Sequence, residues 1–254
     1  MPKDDIYLSV VVPAYNEEHR IAKTLGRLSE YFSSQPYTYE IIVVIDGAKD
    51  KTGAVVQGLV PRIKNLRLID RKENRGKGYS VKEGMLAAQG RICLFTDADN
   101  STDIAYFEKM RPLFDKGYEV VISSRNPWDA AGATQEIPQV WYKRIMGMAG
   151  NVFIQLVAVR GIWDTQNGFK AFRNFAAEKI FPQTRISRWG FDVEALALAR
   201  ALRYKIGIIP IHWFNDSESH VKFSAYFQVL WETIKVRWYI TRGYYDLKRS
   251  ESRF

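Results

Sequence analysis

Asp97 and Asp99 stand one residue apart in the string Leu94-Phe95-Thr96-Asp97-Ala98-Asp99-Asn100. The apolar run Ile92 to Phe95 carries them to the end of what reads as a buried strand. Two like charges that close repel unless a cation lies between them. A strand ending on paired carboxylates therefore points to a divalent ion held against a phosphate-bearing substrate. An oxygen donor set selects a hard cation, Mg2+ or Mn2+. A D-x-D string alone is common, and a solvated surface turn would read the same. Its place at the end of an apolar run is what favours the metal.

Other reactive residues recur at comparable places. Pro13-Ala14-Tyr15-Asn16-Glu17 follows the first apolar run, Asp46-Gly47 the second, and Ser123-Ser124-Arg125 a later one. Asp46, beside Tyr15 and Glu17, suits contact with a base or ribose. Asn74-Arg75-Gly76-Lys77-Gly78 sets two cations among glycines before a helix, where backbone and helix dipole both favour a phosphate. Arg125 and Arg144 are candidates to fork onto an anion. Asn167 and Glu194 are candidates for the acceptor phosphate or the sugar.

The elements that must position these residues alternate. Strands are predicted over 7–12 (stopping at Pro13), 40–45, 66–69, 91–96, 119–123 and 205–211. Helices are predicted after Asn16, which would cap the first, at 82–88, 104–114 and 139–160, from Phe191 through Leu202, and at 224–246. Nearly continuous apolar strands between helices indicate an α/β layered domain with a mostly parallel sheet covered on both faces. Ligands of such sheets bind beyond the carboxyl ends of the strands, where the residues above would converge.

Composition narrows the function classes. The 254 residues carry a net charge of +9, which suits an anionic partner: nucleotide, nucleic acid or phospholipid. No G-x-G-x-x-G follows the first strand and no P-loop string occurs, which argues against a dinucleotide oxidoreductase and a P-loop NTPase. Cys93 is the only cysteine, so a disulfide framework or cysteine zinc site is excluded. His19, His212 and His220 have no ligand spacing and receive no catalytic role. The acidic N-terminus reads as running into the first strand without a signal peptide. No apolar stretch of about 18 residues predicts a transmembrane helix. The helices at 139–160 and 224–246 mix aromatic, apolar and basic residues, as helices lying in a membrane interface do. In the last one, Phe227, Leu230, Trp231, Ile234, Trp238 and Tyr239 oppose Lys235, Arg237 and Arg242.

Taken together, these strings resemble the family 2 glycosyltransferases of the GT-A fold, and within them the polyprenyl-phosphate sugar synthases, closest to the dolichyl-phosphate β-glucosyltransferase branch. The general matches are Leu8-Ser9-Val10-Val11-Val12-Pro13-Ala14-Tyr15-Asn16-Glu17-Glu18, Tyr39 to Gly47, Asn74 to Gly78, Asp97-Ala98-Asp99 and Ser124-Arg125. Asp164-Thr165-Gln166-Asn167-Gly168-Phe169-Lys170 and Arg188-Trp189-Gly190-Phe191-Asp192-Val193-Glu194 point to the glucosyltransferase branch. The resemblance implies a catalytic domain over 1–222 and a membrane-associating helical extension over 223–254. It implies transfer of a sugar, glucose first, from a nucleotide-diphosphate sugar, UDP-glucose first, to dolichyl or polyprenyl phosphate with inversion, at the cytoplasmic face of a membrane and without nucleic acid. Pro13, Tyr15, Glu17 and Asp46 would line the base and ribose pocket. Arg75, Lys77 and Asp97 would hold the nucleotide, Asp97 and Asp99 the metal, and Arg125 the acceptor phosphate.

The match has departures. The second strand ends in one acid where relatives often have two, Ser101 stands where mannosyl relatives carry glutamine, and Ser219 to Lys222 matches only in part. GDP-mannose and UDP-N-acetylglucosamine remain alternative donors. Asp97 to Ser101 also approaches a haloacid-dehalogenase phosphatase motif, which belongs after a first strand. A non-catalytic basic membrane- or nucleic-acid-binding module would leave the acids at the strand ends unexplained.

Overall fold

The computed structural model describes residues 6–135, 141–213 and 224–248, with the side chains of 135, 141–146 and 224 excepted. Ser219 to Lys222 and the first two residues of the helix predicted over 139–160 lie outside the described residues.

Seven strands form one sheet in the order β3 (Leu66–Arg71), β2 (Tyr39–Asp46), β1 (Leu8–Ala14), β4 (Ile92–Phe95), β7 (Lys170–Arg173), β5 (Val120–Ser124) and β8 (Ile206–Pro210). Every described pairing in it is parallel except those of β7, which runs antiparallel between β4 and β5. A short parallel pair, β6 (Thr134–Gln135) with β9 (His212–Trp213), stands apart. Alternate residues face opposite layers. Val10, Val12, Ile41, Val43 and Leu94 pack with Leu25 and Leu28 of α1 (Ile21–Ser33), Val56 of α2 (Thr52–Leu59) and Met110 of α4 (Phe107–Asp115). Val11, Ile42, Val44, Cys93 and Phe95 face α3 (Lys77–Ala87), α6 (Asn174–Ile180) and α7 (Phe191–Ala201). Val229 and Val236 of α8 (Ser224–Thr241) and Ile154 of α5 (Trp141–Val157) belong to this second core, so the C-terminal helix shares it.

Several boundaries differ from the sequence expectations for physical reasons. β1 continues through Pro13, because β4 ends at Phe95, opposite Val11. The edge on which proline lacks its N–H therefore has no strand to pair with. Asn16 does not cap α1; its φ is +55°, its Oδ1 accepts from the Lys49 N–H, and the Glu17 carbonyl receives Arg20 and Ile21 instead. α3 begins at Lys77, five residues before the expected start at 82. α8 ends at Thr241 because Gly243, at φ +70°, takes a left-handed turn. The Tyr244 N–H then reaches the Tyr239 carbonyl and the Gly243 N–H that of Ile240, a Schellman closure. Most of the apolar stripe read on α8 faces away from the core, although Tyr239 packs against it. Ala225, Val229, Glu232, Thr233 and Val236 are buried, while Phe227, Trp231, Ile234 and Trp238 are exposed.

Candidate active site

Strand order reverses beside β1, whose neighbours are β2 and β4, and the ends of β1 and β4 open there. Just beyond β4, Asp97 meets the first residue of α3: Lys77 Nζ stands 2.5 Å from Asp97 Oδ1. The two side chains form an ion pair, each about a quarter exposed. Burial works against the Lys77 charge, but Asp97, Asp192 and Asp99 outweigh it and hold its pKa above the usual lysine value. Burial, and then the charge of Asp97, raise the pKa of Asp99 against the opposing Ser101 N–H, which donates to Asp99 Oδ1 at 2.9 Å. The Asp99 carboxylate thus stands near a second acid at an energetic disadvantage that a cation would relieve.

The residues present fit such an ion. No cluster of three or more His, Cys, Asp or Glu ligands exists among the described residues. Asp97 and Asp99 would supply one face, leaving other positions to a diphosphate and water, as Mg2+ sites commonly do. Space for Asp97 is set by Gly168: a Cβ there would lie 2.1 Å from Asp97 Oδ2 and 2.5 Å from Oδ1. Only a residue with no side chain lets loop and carboxylate approach so closely.

Gly168 reaches this place because of β7. Its antiparallel course pairs Lys170 with Phe95 at the end of β4 and with Ile122 near the end of β5. The preceding loop, 164–169, is therefore delivered to the same edge as the parallel strand ends. Lys170, fully buried, forms an ion pair with Asp192 at 2.6 Å and also donates to the Asn167 carbonyl. Asp164 binds Arg125 in a fork, Nε to Oδ2 and Nη2 to Oδ1, both at 2.8 Å, and also accepts from the Arg125 N–H. Burial opposes both charges of this pair; mutual attraction wins, lowering the carboxyl's pKa and raising the guanidinium's. The indole of Trp213 lies over the Arg125 guanidinium at 5.2 Å. Asn167 Oδ1 accepts from Ser123 Oγ and the Phe169 N–H, while its Nδ2 and Thr165 Oγ1 are buried and unpartnered.

The other sequence candidates divide. Asp46 is buried and turned into its own fold: it accepts from the Arg75 and Gly76 N–H groups at 2.8 Å and from the Arg71 guanidinium. Its observed role is to shape the Asn74-to-Gly78 loop. Arg75 holds its guanidinium over Tyr79, 5.0 Å from the ring centroid, and half its side chain is exposed. Tyr15 is exposed beyond β1, Pro13 is buried within it, and Glu17 forks onto Arg20 at 2.7 and 2.8 Å. Glu194 is wholly buried and accepts from the Arg185 and Ile186 N–H groups and from the Tyr245 hydroxyl. It is placed among donors of its own fold. Arg144 lies on α5 with its side chain outside the described residues. Sequence reasoning missed Asp164, Lys170, Asp192 and Gly168 as parts of the site. The signal was present in the strings Asp164 to Lys170 and Arg188 to Glu194, whose residues pair with each other across the fold.

A family model described as Glycosyl transferase family 2 matches residues 9–181. The chain belongs to glycosyl transferase family 2. Dolichyl-phosphate beta-glucosyltransferase of Dictyostelium discoideum is 34% identical to this glycosyltransferase, over 97% of this chain and 79% of that one. The enzyme of the same name from Homo sapiens is 32% identical, over 96% and 78% respectively. Glucosyl-3-phosphoglycerate synthase from Mycobacterium tuberculosis, solved with Mn2+, uridine diphosphate and phosphoglyceric acid, is similar with a TM-score of 0.69 at 16% identity, covering 97% of this chain and 80% of that one. That likeness shows the GT-A-like fold.

Proposed function

We propose that this glycosyltransferase moves glucose from UDP-glucose to dolichyl or polyprenyl phosphate at the cytoplasmic face of a membrane, giving a β-linked lipid phosphate sugar. The reading is carried by one juxtaposition: paired acids with a half-buried lysine at the sheet's switch point, in a chain whose last helix turns most of its aromatic residues outward. The near full-length similarity to dolichyl-phosphate beta-glucosyltransferases supports glucose and the lipid acceptor.

A Mg2+ or Mn2+ ion held by Asp99 and Asp97 would supply charge neutralisation for the departing diphosphate. Lys77, at the N-terminus of α3, is placed to add its charge to the same diphosphate, exchanging Asp97 for a phosphate oxygen. Tyr15 and the loop held by Asp46, with Arg75 and Pro13, form the nucleotide side, and Glu17 borders it. The acceptor phosphate oxygen attacks the anomeric carbon from the face opposite the leaving group. A new C–O bond forms, the bond to the diphosphate breaks with its electron pair, and uridine diphosphate departs. The acceptor is already an anion, so no strong general base is required. Arg125, oriented by Asp164, and Arg144 would face the acceptor phosphate, with Asn167 offering its unpartnered Nδ2 to acceptor or sugar.

The lipid side falls to α5 and α8. Among the described residues no helix is long and apolar enough to cross a membrane. Phe227, Trp231, Ile234 and Trp238 on α8 and Met148, Val152 and Leu156 on α5 are exposed. A groove of about 540 Å³, lined by Val152, Leu156, Ala158, Arg160 and Arg237, lies between them. Apolar walls with two guanidinium groups suit an isoprenoid chain near its phosphate. The test is transfer of labelled glucose from UDP-glucose, with Mn2+ or Mg2+, into organic-extractable lipid. Transfer from GDP-mannose or UDP-N-acetylglucosamine alone would replace the donor, and no lipid product from any donor would reject the reading.

A further inference from the structure

Immediately before α7, the segment 185–190 underlies the donor loop at distances only glycine permits. A Cβ on Gly76 would lie 2.4 Å from the Ser187 carbonyl oxygen, and one on Gly78 would lie 2.6 Å from Phe191 Cβ and 2.8 Å from the Ile186 carbonyl oxygen. The Tyr79 N–H donates to Ser187 O at 3.1 Å. Any shift of this segment therefore moves the backbone around Lys77.

The segment is in turn held by the C-terminal part of the chain. Glu232, on the buried face of α8, accepts from the Gly190 N–H at 2.6 Å, and Gln228 braces its other oxygen at 2.8 Å. Tyr245, buried beyond the end of α8, donates its hydroxyl to Glu194 Oε1 at 2.6 Å. Glu194 then accepts from the Arg185 and Ile186 N–H groups at 2.7 and 2.9 Å. The Arg185 guanidinium lies over the rings of Tyr239 and Tyr244 at 5.6 and 5.3 Å, and the Asp246 N–H reaches Gln183 Oε1. Two buried carboxylates thus tie both ends of the segment under the donor loop to the C-terminal part of the chain, Glu232 from α8 itself and Glu194 through Tyr245 beyond its end.

We propose that Glu232 and Tyr245 are positioning residues for the nucleotide donor, setting the backbone of the Asn74-to-Gly78 loop from the C-terminal helix through Gly190 and Glu194. The inference rests on the donor reading above for the identity of the ligand. It makes donor affinity a property of how α8 is seated, so that an element facing the lipid side tunes the nucleotide side. The acceptor-phosphate candidates Arg125 and Asn167 are held by Asp164 and Ser123 instead, and are not on this path.

The experiment measures calorimetric binding of uridine diphosphate with Mn2+, and separate KM values for donor and acceptor, in the full chain. Tyr245→Phe deletes one oxygen and keeps the ring; Glu232→Leu removes the acceptor of the Gly190 N–H; Glu232→Gln restores one. Loss of a single hydrogen bond is expected to weaken uridine diphosphate binding by about five-fold. Tyr245→Phe and Glu232→Leu should each show it, the pair more, and Glu232→Gln should bind close to the wild type. The donor KM should rise in step while the acceptor KM and kcat hold. Uridine diphosphate binding within about two-fold of wild type in the double variant would overturn the inference, as would a parallel rise in both KM values in Tyr245→Phe. Failure of the wild type itself to bind uridine diphosphate would overturn the donor reading instead.

Discussion

Around Asp97 the chain buries its charges, and along α8 it exposes its aromatics. At the sheet edge, Lys77, Asp99, Arg125, Asp164 and Asp192 each have a pKa moved by burial and by neighbouring charges, those of Asp97 and Lys170 among them. On α8 the inward positions are Ala225, Val229, Glu232, Thr233 and Val236, and the outward ones include Phe227, Trp231 and Trp238. Each region breaks the ordinary rule of apolar inside and polar outside in the opposite sense. Charges are tolerated inside only where each has a partner, and pairing restricts where they can point. Aromatics outside expose apolar area to water unless something apolar covers it. The first pattern suits recognition of a charged small molecule, the second contact with a bilayer, and the two lie on one compact domain.

The largest effects are expected on the charged side. Asp164→Asn leaves the half-buried Arg125 guanidinium without its charge partner and is expected to cost about 3 kcal/mol, read by chemical denaturation. The same pair predicts a pH dependence. Because Arg125 holds the Asp164 pKa below its unfolded value, the stabilisation is present above about pH 4 and is lost as pH falls through the depressed folded value. The Asn variant should lack that part of the acid transition; an unchanged acid limb would show that the pair is not what titrates.

Asp99→Asn tests the paired acids themselves. Transfer to lipid should drop by about 100- to 1,000-fold at saturating metal, the size expected for losing one group that stabilises developing charge. Retained activity would remove Asp99 from the site. Gly168→Ala is gentler, adding one methyl against the Asp97 carboxylate. It should reduce kcat by about 10- to 100-fold while the protein keeps its fold by circular dichroism, because small misplacements at a reacting centre are amplified. The smallest effect belongs to the outer face. Phe227→Ser with Trp231→Ser should weaken binding to anionic phospholipid vesicles by about ten-fold, each exposed ring contributing part of its apolar area. Uridine diphosphate binding without vesicles should be unaltered; loss of both would mean that the two regions are not separable in this way.

Much of the charged region was legible. Val10-Val11-Val12, Ile41 to Ile45 and Ile92 to Phe95 announce buried parallel strands because β-branched and apolar residues follow one another without alternation. Asp97 and Asp99 stand out against such a run. The Arg125–Asp164 fork and the Lys170–Asp192 pair were not legible, since 39 and 22 residues separate the partners and nothing local links them. The orientation of α8 was also hidden. Its periodicity shows an aromatic stripe, but which side meets the core depends on Glu232 finding the Gly190 N–H and on Tyr245 finding Glu194.

The sequence by itself determined the alternation of strands and helices, the acids at the end of β4 and the glycines beside Lys77, because these follow from neighbours within a few residues. The tertiary structure alone decided that β7 runs against its neighbours and carries Gly168 to Asp97, that Asp46 and Glu194 serve the fold's own N–H groups, and that the aromatic face of α8 points outward. Those outcomes depend on which distant donors and acceptors meet, and a hydrogen bond between residues far apart in the chain leaves no period to read.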